Sequence, residues 1–298
     1  MMKIVDPHFH LWDLNRFEYP WLTSLPSTGV YGDNSAIRRN YLISDFLGES
    51  QEFILEKAVH IEAAIAENKS LDETAWLQDI ADEPTSSGVP NGIVVYCDLS
   101  DPKVSLMLDR HVARKNVRGV RQILNMSTDG RLSFTAIDYM NTENWNAGFA
   151  ELKPRNLSFD LQIYPHQVFE AAALAARFPT TQIILNHTGM PIGFDRSSFA
   201  SWANGMERLA KEPNAAVKIS GLGMMFHTIS ESLFRPFVRS AIDFFGVDRC
   251  MFASNFPVDG MYSTYDTLWR TFTRVVDDFT VNQKEELFCK TAVKLYRL

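Results

Sequence analysis

Eight short runs rich in β-branched residues recur along the chain, most of them followed by a stretch with helical spacing, and this alternation limits the fold more than any other feature. The runs fall at residues 3–9 (KIVDPHF), 57–63, 92–99, 117–124, 157–164, 181–187, 215–221 and 250–256. Amphipathic segments at 72–82, 105–115, 166–178, 199–212 and 232–246 lie between them. Strands that alternate with helices and are apolar on both faces pair in parallel through right-handed crossovers, and eight such units close into an α/β fold, the (β/α)8 TIM barrel. A doubly wound open sheet has the same alternation. Its dinucleotide turn, GxGxxG after the first strand, is missing, as are a P-loop and a GxSxG nucleophile elbow.

No repeat, low-complexity tract or Gly/Ser linker divides the chain, so residues 1–298 read as one domain, large enough at 46% hydrophobic content to bury a substantial core. Residues 13 to 43 have aromatics and prolines but little periodicity, as expected of a loop over a barrel mouth. With 29 basic against 36 acidic residues, the formal charge is -7, without a basic stripe. Nucleic acid and anionic membranes are therefore not the expected partners, and a small-molecule substrate is. Cys97, Cys250 and Cys289 are far apart and odd in number, which fits reduced core residues and excludes a cysteine zinc cluster. No leader-like segment and no apolar run of the ~20 residues a bilayer requires appears, so a cytoplasmic protein is expected. Whether it forms a homo-oligomer is left open.

The stretch VDPHFHLWD holds two of the seven histidines, His8 and His10, at the end of the first strand. Side chains at i and i+2 share a strand face, and barrel active sites lie at the C-terminal strand ends, so both imidazoles are expected in the mouth. His-x-His alone can be coincidence; its place in the chain gives it weight. Further polar residues close other strands: His60 and Glu62, Arg121, Gln162 and His166, His187, Lys218 and Ser220, Asn255 and Asp259. An ionisable side chain in an apolar strand is costly unless paired, solvated or coordinated, so several converging on one mouth point to a site. His111 and His227 read as structural or surface residues.

The segments DPHFHLWD, GVRQIL, LSFDLQIYPHQ, ILNHTGMP, VKISGL and RCMFASNFPVD, in this order across nearly the whole chain, resemble the amidohydrolase superfamily. Within it the branch of 2-pyrone-4,6-dicarboxylate lactonase and sugar lactonases such as fuconolactonase is the nearest match. The resemblance implies that His8, His10 and His187 face the site, where they either hold one divalent ion, Zn2+ or Mn2+, or bind and polarise the substrate directly. It also implies that Arg121 grips a carboxylate or the lactone oxygens, and that His166 matches the histidine of the family's PHQ segment. Where the family ends its eighth strand with Ser-Asp-Trp-Pro, this chain has Ser-Asn-Phe-Pro, with Asn255 in place of the water-activating aspartate. An amide is neither a useful base near neutral pH nor a good metal ligand.

Lactone hydrolysis is the expected reaction. His8, His10 and His187 would stabilise the carbonyl oxygen, through an ion or as imidazoles, His60, Arg121, His166 and Lys218 would bind substrate, and without a metal His187 or Asp259 would act as the base. The alternatives are a metal-dependent nonoxidative decarboxylase of the same superfamily and an inactive barrel used for binding.

Overall fold

The computed structural model describes residues 1–24, 29–130 and 132–298. Among them eight strands form one parallel sheet in sequential order: β1 (Met2–Phe9), β2 (Phe53–Ile61), β3 (Gly92–Tyr96), β4 (Val117–Ile123), β5 (Ser158–Gln162), β6 (Ile183–Leu185), β7 (Ala215–Ile219) and β8 (Cys250–Phe252). The last strand returns to the first through a parallel bridge, Phe9 to Phe256, where Asn255 N–H donates to the His8 carbonyl and His10 N–H to that of Phe256, each at 2.8 Å. The fold is the (β/α)8 barrel that the strand–helix alternation predicts.

A helix follows each strand: α1 (Ile43–Glu49), α2 (Ser70–Asp82), α3 (Val104–Val112), α4 (Glu143–Ala150), α5 (Val168–Arg177), α6 (Arg196–Ala210), α7 (Glu231–Phe245) and α8 (Tyr265–Val275). The apolar stripe of α7 shows how these form: Phe234, Phe237, Val238, Ala241, Ile242 and Phe245, at helical spacing, are its buried residues. Helices α1, α4 and α8 add to those expected from the sequence. The stretch 13–43 holds a short helix, Pro20–Thr23, and its residues 25–28 lie outside the described ones.

Alternation in the strands separates two cores. Ile93, Val120, Phe159, Leu161, Ile183, Val217 and Phe252 belong to the large cluster between sheet and helices. Val5, Val59, Ile61, Val94, Ile184, Ala216 and Met251 pack inside the barrel, where the C-terminal helix α9 (Thr291–Tyr296) adds Ala292 and Tyr296. This parity sends Arg121, Asp160, Gln162 and Lys218 inward, because each alternates with outward residues of its strand. None of the helices among the described residues is long and apolar enough to cross a membrane.

Candidate active site

Several strands end earlier than the apolar runs suggest, and the turns that follow carry the site. After β6, His187, Thr188 and Met190 take left-handed backbone angles with φ of 55°, 54° and 48°, so the chain leaves the sheet and turns His187 over the barrel. Gly221, after β7, also has positive φ, and a Cβ there would sit 2.7 Å from the His187 ring, so only glycine permits this approach. Asn255, after β8, has φ of 57°, a conformation asparagine tolerates better than most residues.

These turns border a half-open cavity of about 110 Å³. Its polar lining includes His10, Arg121, Gln162, His187 and Asn255, while Trp21, Ile123, Phe134, Met190, Met224 and Val258 form apolar walls. His8 lies beside it, with ring centroids 5.0 Å from His10 and 4.5 Å from His187. The three histidines are thus brought together, His10 and His187 on the cavity and His8 behind them.

Each group is held by a specific partner. The Nδ1 of His10 lies 2.8 Å from the Ile61 carbonyl, which only accepts, so the proton is on Nδ1 and the Nε2 lone pair is left. The His8 Nδ1 lies 3.3 Å from Lys218 Nζ, whose ammonium donates to it, placing the His8 proton on Nε2, a buried atom without a hydrogen-bond partner. His187 Nδ1 meets the Ser220 hydroxyl at 3.2 Å. Burial holds all three imidazoles neutral, reinforced by Lys218 at His8 and by Arg121 at His10 and His187.

Arg121 is locked in the barrel wall. Its Nε donates to Glu62 Oε1 at 2.5 Å, Nη2 to the Glu62 carbonyl at 2.6 Å and Nη1 to Gln162 Oε1 at 3.0 Å. Lys218 forms a second buried pair with Asp160, which also accepts from the Tyr296 hydroxyl at 2.8 Å. Burial pushes the Lys218 ammonium down to about 8, against the pull of Asp160. Asn255 Nδ2 donates to Asp259 Oδ2 at 2.6 Å, and Asp259 Oδ1 accepts from Met224 N–H at 3.0 Å. Burial pushes the Asp259 carboxyl up to about 7, partly offset by the Asn255 amide and by these backbone donors.

Four expected site residues stand elsewhere. His166 is exposed and stacks on Tyr164 outside the cavity, because it opens the turn leading to α5 instead of following the strand parity. His60 shares the outward parity of Ala58, and its ring packs edge-on to Phe9. Lys218 points into the barrel but is absorbed by Asp160 and His8 below the cavity. Asp259 supports Asn255 from behind and does not line the cavity, which removes it as a direct base. Of the residues that sequence reasoning passed over, Asp160 carried the signal that marked Lys218, a charge at an inward position of an apolar strand. Of the wall residues, Trp21 stands in the short helix Pro20–Thr23 and Phe134 and Met190 in loops, and none carried such a signal.

A family model described as Amidohydrolase matches residues 5–298. The chain belongs to the amidohydrolase family. Among its relatives, the uncharacterized protein y4mH of Sinorhizobium fredii is 46% identical over 100% of this chain and 99% of its own length. An L-fucono-1,5-lactonase of Burkholderia multivorans is 25% identical over 99% of this chain and 96% of its own length. Of solved structures, an amidohydrolase from Burkholderia multivorans with bound zinc superposes with a TM-score of 0.78 at 23% identity, covering 99% of each chain.

The side chains of this amidohydrolase do not form a divalent-metal site of the kind that neighbour's zinc implies. Among the described residues no group of three His, Cys, Asp or Glu side chains is arranged to hold an ion. The chemistry agrees: Lys218 donates to His8 Nδ1 and leaves a protonated Nε2, and the position after β8 offers the amide of Asn255 where an anionic oxygen would be needed. The expected ion at His8, His10 and His187, Zn2+ or Mn2+, therefore does not fit this arrangement.

Proposed function

We propose that this amidohydrolase opens a lactone ring by attack of water, with His10 as proton acceptor. The observation that carries the reading is the tautomer of His10, whose Nδ1–H is committed to Ile61 while Nε2 remains unclaimed on a residue lining the cavity. A relative named as a lactonase supports the reaction class.

Lactone hydrolysis needs an activated water, donors where the carbonyl oxygen gains charge, and a held ring. His10 Nε2 takes a proton as the water oxygen bonds to the carbonyl carbon. Asn255 Oδ1, left over because Nδ2 is tied to Asp259, accepts the water's other hydrogen and orients it. The Arg121 N–H groups not used by Glu62 and Gln162 stabilise the oxyanion. Imidazolium and oxyanion arise in the same step, so each offsets the cost of the other in this buried setting. Collapse of the adduct breaks the ring C–O bond, and His10 returns the proton to the leaving alkoxide, giving the open hydroxy acid.

The test is His10→Asn, which keeps a donor for Ile61 and removes only the Nε2 acceptor. General-base catalysis is worth ~10²–10⁴-fold, so kcat should fall by that order with a smaller change in KM. A kcat within tenfold of the parent would remove His10 from the role.

A further inference from the structure

Resting on the lactonase reading, we infer that the substrate is a compact, uncharged lactone bearing a short apolar substituent, in contrast to a sugar lactone or a dicarboxylate. Three features of the cavity lead there. The first is charge. Among the described residues the cations at the cavity floor are already neutralised, Arg121 by Glu62 and Lys218 by Asp160, with all four side chains no more than 4% exposed. The imidazoles are held neutral by burial. A carboxylate entering here would give up its hydration without gaining an unpaired positive partner.

Hydrogen-bonding capacity is the second. Gln162 spends Oε1 on Arg121 and Nε2 on Asn125, and Asn255 spends its amide N–H on Asp259. What is left, His10 Nε2, Asn255 Oδ1, the second ring nitrogen of His187 and the spare Arg121 N–H groups, is no more than the water, the ester carbonyl and the ring oxygen require. The apolar walls named above take no part. Trp21 turns its indole N–H away to the Ala63 carbonyl at 2.8 Å, so it presents ring surface, and Ile123, Met190, Met224 and Val258 add hydrocarbon and thioether. A ring hydroxyl pressed against these walls loses water and gains little.

Size is the third. The half-open cavity offers about 110 Å³, somewhat less than the ~150 Å³ of a closed apolar cavity that takes up benzene, so its inner part seats a five- or six-membered ring, with the exposed Phe134 at its edge to cover a short chain. Each methylene seated in such a pocket is worth roughly 10–200-fold in kcat/KM.

The experiment compares the purified full-length protein on δ-valerolactone, δ-hexalactone, L-fucono-1,5-lactone and 2-pyrone-4,6-dicarboxylate, following acid release. The expected order has δ-hexalactone above δ-valerolactone, and both at least about tenfold above the polyhydroxylated and dicarboxylate lactones in kcat/KM, as one stranded polar group alone would require. Faster turnover of either polar lactone overturns the inference while leaving lactone hydrolysis standing. Should no lactone be hydrolysed, the lactonase reading fails, and binding of the lactams of the same ring, bare and polyhydroxylated, is measured by tryptophan fluorescence. Tighter binding of the bare lactam keeps the inference about the cavity; tighter binding of the polyhydroxylated one overturns it.

Discussion

Replacing Glu62 with glutamine removes the charge behind Arg121 and keeps the shape of the side chain, at the cost of one of its two contacts, since Glu62 accepts both from Arg121 Nε and from the Ala64 N–H at 2.7 Å. The pair is buried, with side chains 1% and 4% exposed, and Arg121 also donates to the Glu62 backbone carbonyl at 2.6 Å, a contact that survives the change. Removing one partner of a buried ion pair typically costs ~3–5 kcal/mol, because the other charge is left uncompensated. The glutamine oxygen still accepts from Arg121 Nε, which places the expected loss near ~3 kcal/mol. For a chain of this size that is a fall of about 5 °C in Tm, read by calorimetry or thermal fluorescence. The freed guanidinium charge has a second consequence. At an effective dielectric near 20, a unit charge ~4 Å away is worth up to about 4 kcal/mol, and a third of that is already tenfold. Glu62→Gln should therefore raise the kcat/KM ratio of a dicarboxylate lactone to a neutral one by at least about tenfold. A Tm within ~1 °C of the parent and an unchanged ratio would refute the claim that Glu62 masks Arg121.

The remaining expectations follow from the same geometry. Prolonged chelation of the purified enzyme should leave kcat/KM within about twofold, because the side chains present no divalent-metal set; activity lost on chelation and restored by Zn2+ would count against this. Asn255→Asp sets a second carboxyl 2.6 Å from the Asp259 oxygen, where the two must share a proton, and should increase the zinc retained through dialysis relative to the parent. For Asp259, a folded pKa near 7 against an unfolded value near 3.8 means that the native state binds more protons between those limits, so the group erodes stability as pH rises from about 4 to 7. In Asp259→Asn that loss, about 1.4 kcal/mol per pH unit, should vanish from the stability–pH curve measured in denaturant. His166→Ala should leave kcat and KM within about twofold, since the side chain stands in solvent.

The barrel was legible in the sequence because its determinant is local. A strand buried on both faces must be a continuous apolar run, and eight such runs with helical spacing between them admit few topologies. The histidines were legible for a related reason: an imidazole at the end of an apolar strand stands out against its neighbours, and the resemblance of six ordered segments ranked His8, His10 and His187 together. Strand parity, applied to the runs, also accounts for the inward placement of Arg121 and Lys218.

What those side chains do was decided by partners distant in the chain. Lys218 read as a substrate-binding cation until Asp160, 58 residues away, and His8, 210 residues away, took up its donors. Arg121 read as an anion grip, but Glu62, 59 residues earlier, neutralises it. Asp259 was a candidate base by proximity to Asn255; the turn after β8 folds it behind the amide, where it orients and does not face substrate. Apart from Ile123 at the end of β4, the apolar walls come from loops and very short helices between strands, which carry no period to read. A sequence records which residue is ionisable, but the charge it offers depends on burial and on the opposite charge beside it, and both exist only once the barrel has closed.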